Sequence, residues 1–266
     1  MDIVNIVIML LIGVFGGFIS GLVGVGGAII IYPAILLLPP LFGAPAYSAY
    51  IASGLTSSQV FFSTLSGSLK ARKKTEFSPQ LVLYMGGGMI IGSMLGAFLA
   101  NLFDATFVNT VYIIIALLAL TLMFIKVKPS SEKSSFNKYL LVIIGLFIGI
   151  ISGIVGAGGA FIIIPILLVL FKLPMNTVVA NSIVIAFISS IGAFVIKLIQ
   201  GYIPLYDALF LIIGSIIFAP IGLKLSKKVP NIIQKWIMEN AATNHDAINA
   251  IFFCKFKSCF SIGNMG

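Results

Sequence analysis

A glycine-rich segment occurs twice in the chain, at an interval of 132 residues. Residues 17–33 read GFISGLVGVGGAIIIYP and residues 149–165 read GIISGIVGAGGAFIIIP, with twelve of the seventeen positions identical. Each glycine in a helix interior costs about 1 kcal/mol relative to alanine, so both runs predict a break in an apolar helix. A break provides a helix N-terminus with free amides, and glycine lets a ligand approach that backbone closely. The chemistry indicated is the binding of a small anion.

Small and polar residues of the two segments are the candidate substrate-binding residues. The serines would add hydroxyl donors if the two breaks converge near the middle of a membrane. Pro33 and Pro165 follow the last glycines by six residues and are expected to terminate or kink the short helices there. The candidates are Ser20, Gly21, Gly24, Gly26 and Gly27 in the first segment, and Ser152, Gly153, Gly156, Gly158 and Gly159 in the second.

Tight helix packing is the alternative interpretation of these glycines. Gly13, Gly17, Gly21 and Gly24 are spaced to put small residues on one face of a helix, as in closely packed membrane helices. The crowding of glycines at one point in both segments favours a substrate loop. A dinucleotide fingerprint is not indicated, because the spacing differs from G-x-G-x-x-G and no acidic residue follows at the required distance.

Composition indicates that the elements carrying these segments lie in a membrane. Of the 266 residues, 60% are hydrophobic and only 9% are charged, and the mean hydropathy is +1.18, far outside the range of a soluble domain. Residues 3–69 contain no Asp, Glu, Lys or Arg, and residues 77–125 contain only Asp104. A spanning helix needs roughly 20 mostly apolar residues. The sequence therefore predicts an all-α, polytopic membrane protein. A removable signal peptide is disfavoured, because no basic region precedes the first apolar run.

The apolar runs divide the chain into two homologous helical repeats. We predict a first transmembrane repeat at 1–125, a hydrophilic linker loop at 126–138, a second repeat at 139–228 and an atypical C-terminal tail at 229–266. The expected helices cover about 3–22, 28–38, 47–69, 80–102 and 106–125 in the first repeat, and 139–154, 160–171, 176–199 and 205–224 in the second.

Loop charges predict that the two repeats are inverted relative to each other. The loop after the third segment contains four cations in the first repeat and only Lys197 in the second, whereas the next loop has none in the first repeat and three in the second. Because cations favour the cytoplasmic side, equivalent loops should lie on opposite sides, as in many secondary transporters. The cations concerned are Lys70, Arg72, Lys73 and Lys74, and Lys224, Lys227 and Lys228.

The doubled segment resembles the hallmark of the sulfite exporter TauE/SafE family of membrane permeases, a duplicated G-x-x-S-G-x-x-G-x-G-G followed by a proline. The resemblance extends over about Ile3 to Met238. It implies transport of a sulfur-containing anion such as sulfite or a sulfonate. By position it adds Ser53 and Asn181 as cavity residues, for which hydrogen bonding between helices is the alternative. The chain departs from the family after Trp236, where the polar tail replaces an expected last span and puts transport by this copy in doubt.

Lys197 is a further candidate, because a cation near the end of an apolar stretch could attract an anionic substrate. The alternative is a side chain that reaches out to the membrane interface.

These observations favour a permease over two other classes. An enzyme is disfavoured, because acids are scarce in the spans and the sole histidine, His245, lies in the tail with both cysteines; no metal site or cofactor is predicted. A non-transporting accessory or defective membrane protein is the alternative function. The expected partners are a small anion and the lipid bilayer, not nucleic acid, and the expected location is the plasma or inner membrane of a prokaryote. The pattern indicates no oligomeric state.

Overall fold

The computed structural model describes residues 3–23, 27–71, 77–124 and 138–226, and all regular structure within these ranges is helical. This confirms the predicted fold class. The predicted linker, apart from Lys138, and the predicted tail lie outside the described residues, so the division into repeats stays a prediction. The helices are α1 (Ile3–Val23), α2 (Ala28–Leu41), α3 (Ala49–Ala71), α4 (Pro79–Leu99), α5 (Ala105–Phe124), α6 (Lys138–Val155), α7 (Ala160–Val169), α8 (Met175–Ile199) and α9 (Leu205–Ser226), with a short 3-10 helix at Ala100–Leu102 after α4.

Five of the helices are long and apolar enough to cross a membrane, namely α1, α4, α6, α8 and α9. Their outer faces carry exposed large side chains such as Phe15, Phe98 and Phe147, as expected of surfaces in contact with lipid. Helix α3 has 23 residues but is more polar, because it lies in the interior. There the hydroxyl groups of Thr56 and Ser57 donate to carbonyls of the preceding turn at 2.7 Å, which satisfies them without water.

Glycines bring two pairs of helices into close backbone contact, α1 with α9 and α4 with α6. A Cβ added at these glycines would overlap the backbone of the partner helix, so small residues are required along both contacts. Along each pair the contacts advance in the same direction, so the paired helices run parallel. The contacts are Gly13 with Leu211, Gly17 with Ser215 and Gly21 with Ala219, and Gly88 with Val142, Gly92 with Leu146 and Gly96 with Ile150.

Helices α3 and α8 pack against each other in the interior and run antiparallel. The ring of Phe61 stacks on Phe194 at 4.9 Å, whereas Gly67, further along α3, lies against Ile183 near the start of α8. Helix α1 runs with α3, since Ser20 contacts Ser63 and Gly16 lies beside Gln59. Helix α4 runs parallel to α8. Gly86 of α4 lies against Ile188, and Ser93, further along α4, lies against Gly192, further along α8.

These directions are those that inverted repeats require. Helices α1, α3 and α9 run one way and α6, α8 and α4 run the other, and the two sets contain the equivalent helices of the two predicted repeats. The inverted relation itself stays a prediction. The loop before α3 and the loops after α4 and α8 share one end of the bundle, because Tyr50 donates to the Phe103 carbonyl and stacks on Tyr202.

Pro33 and Pro165 were expected to terminate or kink the short helices. The first alternative is wrong, because neither proline ends its helix. Both lie inside their helices, which continue to Leu41 and Val169. A proline removes the amide that would bond to the carbonyl four residues earlier. For Pro33 that carbonyl belongs to Ile29, and the Tyr112 hydroxyl of α5 donates to it at 2.6 Å.

Candidate functional site

The second glycine segment forms a break between α6 and α7. Helix α6 ends at Val155 and α7 begins at Ala160. Gly156, Gly158 and Gly159 have φ angles of 77°, 62° and 70°, a left-handed conformation that glycine adopts freely and other residues rarely do. The break predicted here is therefore present, and its backbone conformation requires these glycines.

The start of α7 has backbone amides that are not bonded within the helix. Ile162 and Ile163 both donate to the Gly159 carbonyl at 3.0 Å, so the hydrogen bonding of the helix begins at Gly159. The amides of Ala160 and Phe161 precede the first of these bonds, and the first amides of a helix have no acceptor within it. Such amides, at the positive end of a helix dipole, are suited to binding an anion.

The second break lies against the middle of α3 and α8. A Cβ added at Gly158 would lie 2.8 Å from Cγ1 of Val60 and 3.4 Å from Cβ of Ser190. Gly156 lies against the backbone of Ser53, which is about two turns nearer the start of α3. The break therefore reaches the interior of the bundle at the level where α3 is half complete.

The first glycine segment also breaks a helix, since α1 ends at Val23 and α2 begins at Ala28. Gly27 has a φ of 72°, and a Cβ there would lie 2.5 Å from the Gly16 carbonyl oxygen, so the chain has turned back along α1. Gly24 and Gly26 lie outside the described residues. Helices α2 and α7 touch, and so the two short helices meet in the interior.

Two of the predicted serines lie near the breaks, and they have different neighbours. Ser20 Oγ is 3.2 Å from Ser63 Oγ on α3. Ser152 donates to the Gly149 carbonyl at 3.1 Å, and a Cβ at Gly159 would lie 3.1 Å from its oxygen. Both side chains are fully buried. Each serine therefore lies near the break of its own glycine segment.

Other predicted residues make contacts between helices. Gly21 and Gly153 lie against the carbonyls of Ala219 and Ser93 on neighbouring helices, as the packing interpretation requires. The Ser53 hydroxyl donates to the Ile154 carbonyl at 3.3 Å.

Asn181 is also engaged between helices. It accepts the Ser78 amide at 2.8 Å, at the start of α4, and donates to the Thr177 carbonyl at 2.7 Å. Because α3 and α8 are antiparallel, Ser53 and Asn181 lie towards opposite ends and are not brought together.

Gln59 is a polar residue of the interior that the sequence analysis did not single out. It is fully buried in the middle of α3, and neither its Nε2 nor its Oε1 has a hydrogen-bond partner in the described part of the chain. A Cβ added at Gly16 would lie 3.6 Å from Nε2, so the amide lies beside α1 and the first break. The sequence did contain a signal for this residue, because Gln59 is the sole glutamine in the uncharged stretch 3–69.

Among the described residues, no relay of titratable side chains is found near the spans. Asp207 accepts Tyr47 at 2.8 Å and Asn5 at 3.0 Å, which ties the starts of α1 and α9 together. Burial raises the pKa of the Tyr47 hydroxyl to about 12; the Asn5 hydrogen bond lowers it, and Asp207 raises it. Lys197 is fully buried and so does not reach out to the interface.

Broken helices that meet inside a bundle of apolar spans define a polytopic membrane protein of the transporter class. Residues 9–239 match the profile described as sulfite exporter TauE/SafE, and the chain belongs to that family. It is therefore a membrane transporter, a class of permeases rather than of enzymes.

Relatives of this chain share that class by name. "Probable membrane transporter protein YunE" of Bacillus subtilis is 26% identical, over 85% of this chain and 90% of its own length. "Probable membrane transporter protein YdhB" of the same organism is 25% identical, over 86% and 92%. A Methanocaldococcus jannaschii protein also named as a probable membrane transporter protein is 25% identical, over 84% and 86%. No solved structure gives a significant match.

Proposed function

We propose that the protein moves a small sulfur-containing anion, of the sulfite or sulfonate type, across the cell membrane of a prokaryote. The observation that supports this proposal is that each break lies near the middle of α3: Gly158 lies against Val60, and Gly27 lies against Gly16, which is beside the buried Gln59 amide that has no partner among the described residues. The substrate class comes from the description of the family. The partners are the anion and the surrounding bilayer, and no nucleic acid takes part.

The anion is held mainly by backbone. At the second break the amides of Ala160 and Phe161 donate to it, with the Ser152 hydroxyl nearby. At the first break the start of α2 and the Nε2 of Gln59 supply the donors. Neutral donors of this kind satisfy a small anion without the cost of a second buried charge.

A thermal-stability screen of the purified protein tests the substrate class. An anion that binds the folded state at 100 times its Kd stabilises that state by about 2.7 kcal/mol. Sulfite, thiosulfate and an alkyl sulfonate are expected to raise the melting temperature, and a carboxylate of similar size is the matched control. Stabilisation by carboxylates alone would contradict the proposed substrate class.

A further inference from the structure

Lys197 is a buried cation without a counter-charge in the described structure. It lies in the last turn of α8, its exposed fraction is 0%, and its Nζ has no hydrogen-bond partner among the described residues. Removing an ammonium group from water costs several kcal/mol unless a partner compensates. A packing role alone would not require a charge, and the described residues supply no hydrogen-bond partner for the ammonium group, so the side chain is suited to binding an anion.

An aromatic ring borders the ammonium group but does not compensate it. The Nζ lies 5.6 Å from the centroid of the Tyr202 ring, and that ring stacks on Tyr50 at 5.3 Å. A cation–π contact contributes less than the cost of burying the charge. The two stacked tyrosines border the ammonium group, which has no hydrogen-bond partner among the described residues and so can bind an anion.

The position of Lys197 along the bundle follows from the contacts of its neighbour Tyr202. The Tyr202 carbonyl lies against Gly54 of α3, and Gly156 of the second break lies against the neighbouring Ser53. Gln59 is five residues beyond Gly54 on α3, which is about 7.5 Å at 1.5 Å per residue. Lys197 therefore lies between the middle of the bundle and the end at which α3 begins.

We propose that Lys197 forms a second anion-binding position, separate from the breaks, which a small anion occupies on its way between the middle of the bundle and that end. The site takes a single small anion, bound by charge to Nζ beside the Tyr202 ring. That the bound anion is in transit rests on the proposed function; the binding itself does not.

Bromide, which is detected by its anomalous scattering, is a suitable probe for crystals of the full chain. The wild type and Lys197→Arg are expected to show a bromide within hydrogen-bonding reach of the side chain at 197, and Lys197→Met is expected to lose it. Lys224→Met removes an exposed lysine near the C-terminal end of α9. This control variant should retain the bromide. Absence of the ion from the wild type, or its persistence in Lys197→Met, would overturn the proposal.

Flux measurements separate this proposal from the proposed function. In proteoliposomes, Lys197→Met is expected to raise the half-saturating sulfite concentration about tenfold, the equivalent of 1.4 kcal/mol, while Lys197→Arg and Lys224→Met stay close to the wild type. An unchanged value in Lys197→Met would show that the anion does not pass this position. A wild type that binds bromide at Lys197 but carries no sulfur anion would refute the proposed function alone.

Discussion

At the scale of single residues, Gln59 is the side chain whose chemistry is least explained by the fold. Most buried polar groups in the described structure bond to their own helix, as Thr56 and Ser57 do. Gln59 has a donor and an acceptor that are both unused. An unpaired buried amide costs about 1–3 kcal/mol, and a protein that tolerates this cost gains a group ready to bind a ligand.

The Gln59→Leu variant is expected to change stability and binding in opposite directions. Removal of the unpaired amide should raise the melting temperature, whereas anion binding should weaken at least tenfold, because a donor is lost. Thr56→Val, one turn earlier on α3, is the matched control, since its hydroxyl is satisfied within the helix. Both quantities come from thermal melts with and without the anion. Equal anion stabilisation in the leucine variant and the wild type would exclude Gln59 from the site.

At the scale of elements, the glycine break before α7 depends on backbone conformation. Gly158→Ala places a Cβ in a left-handed conformation, at about 1–2 kcal/mol, and only 2.8 Å from Val60 Cγ1. The variant is expected to melt at a lower temperature and to lose anion stabilisation. Gly87→Ala is the control, because nothing lies within 4 Å of a Cβ there and alanine favours the helix. A Gly158→Ala protein that binds anions normally would show that the geometry of the break is not needed.

Gly21 tests the packing role against the binding role. A Cβ at Gly21 would overlap the Ala219 carbonyl, so Gly21→Ala is expected to separate α1 from α9 and lower the melting temperature. The folded fraction should still bind anions with the affinity of the wild type. A loss of affinity without a loss of stability would return Gly21 to the binding site.

The contrast between these residues shows what the sequence could predict. Repeated glycines predict a break and apolar runs predict the helix bounds, and the structure agrees with both. Contacts between distant helices cannot be predicted in this way. Packing by Gly21 and interhelical bonding by Asn181 were left open as alternatives, but their partners on α9 and at the start of α4 were not predictable. The bond from Tyr112 to the carbonyl freed by Pro33 was not predictable either. The orientation of Gln59 towards the first break depends on the same tertiary packing.

At the scale of the whole molecule, the opposed directions of equivalent helices predict that equivalent loops lie on opposite sides of the membrane. Asn101, Tyr206 and Lys224 are exposed at helix ends. With Cys254 and Cys259 replaced by serine, cysteines at Asn101 and Tyr206 should react with an impermeant maleimide from outside intact cells, and a cysteine at Lys224 should not. Labelling of the cysteines at Asn101 and Lys224 from the same side would contradict the inverted arrangement.

The most direct test of the central claim is the uptake of radiolabelled sulfite by proteoliposomes that contain the full chain. The account predicts uptake above that of protein-free liposomes, competition by an alkyl sulfonate, and at least a tenfold loss in Gly158→Ala but not in Gly87→Ala. Uptake by the wild type no faster than that of protein-free liposomes, or full uptake by Gly158→Ala, would contradict transport of a sulfur anion through the glycine breaks.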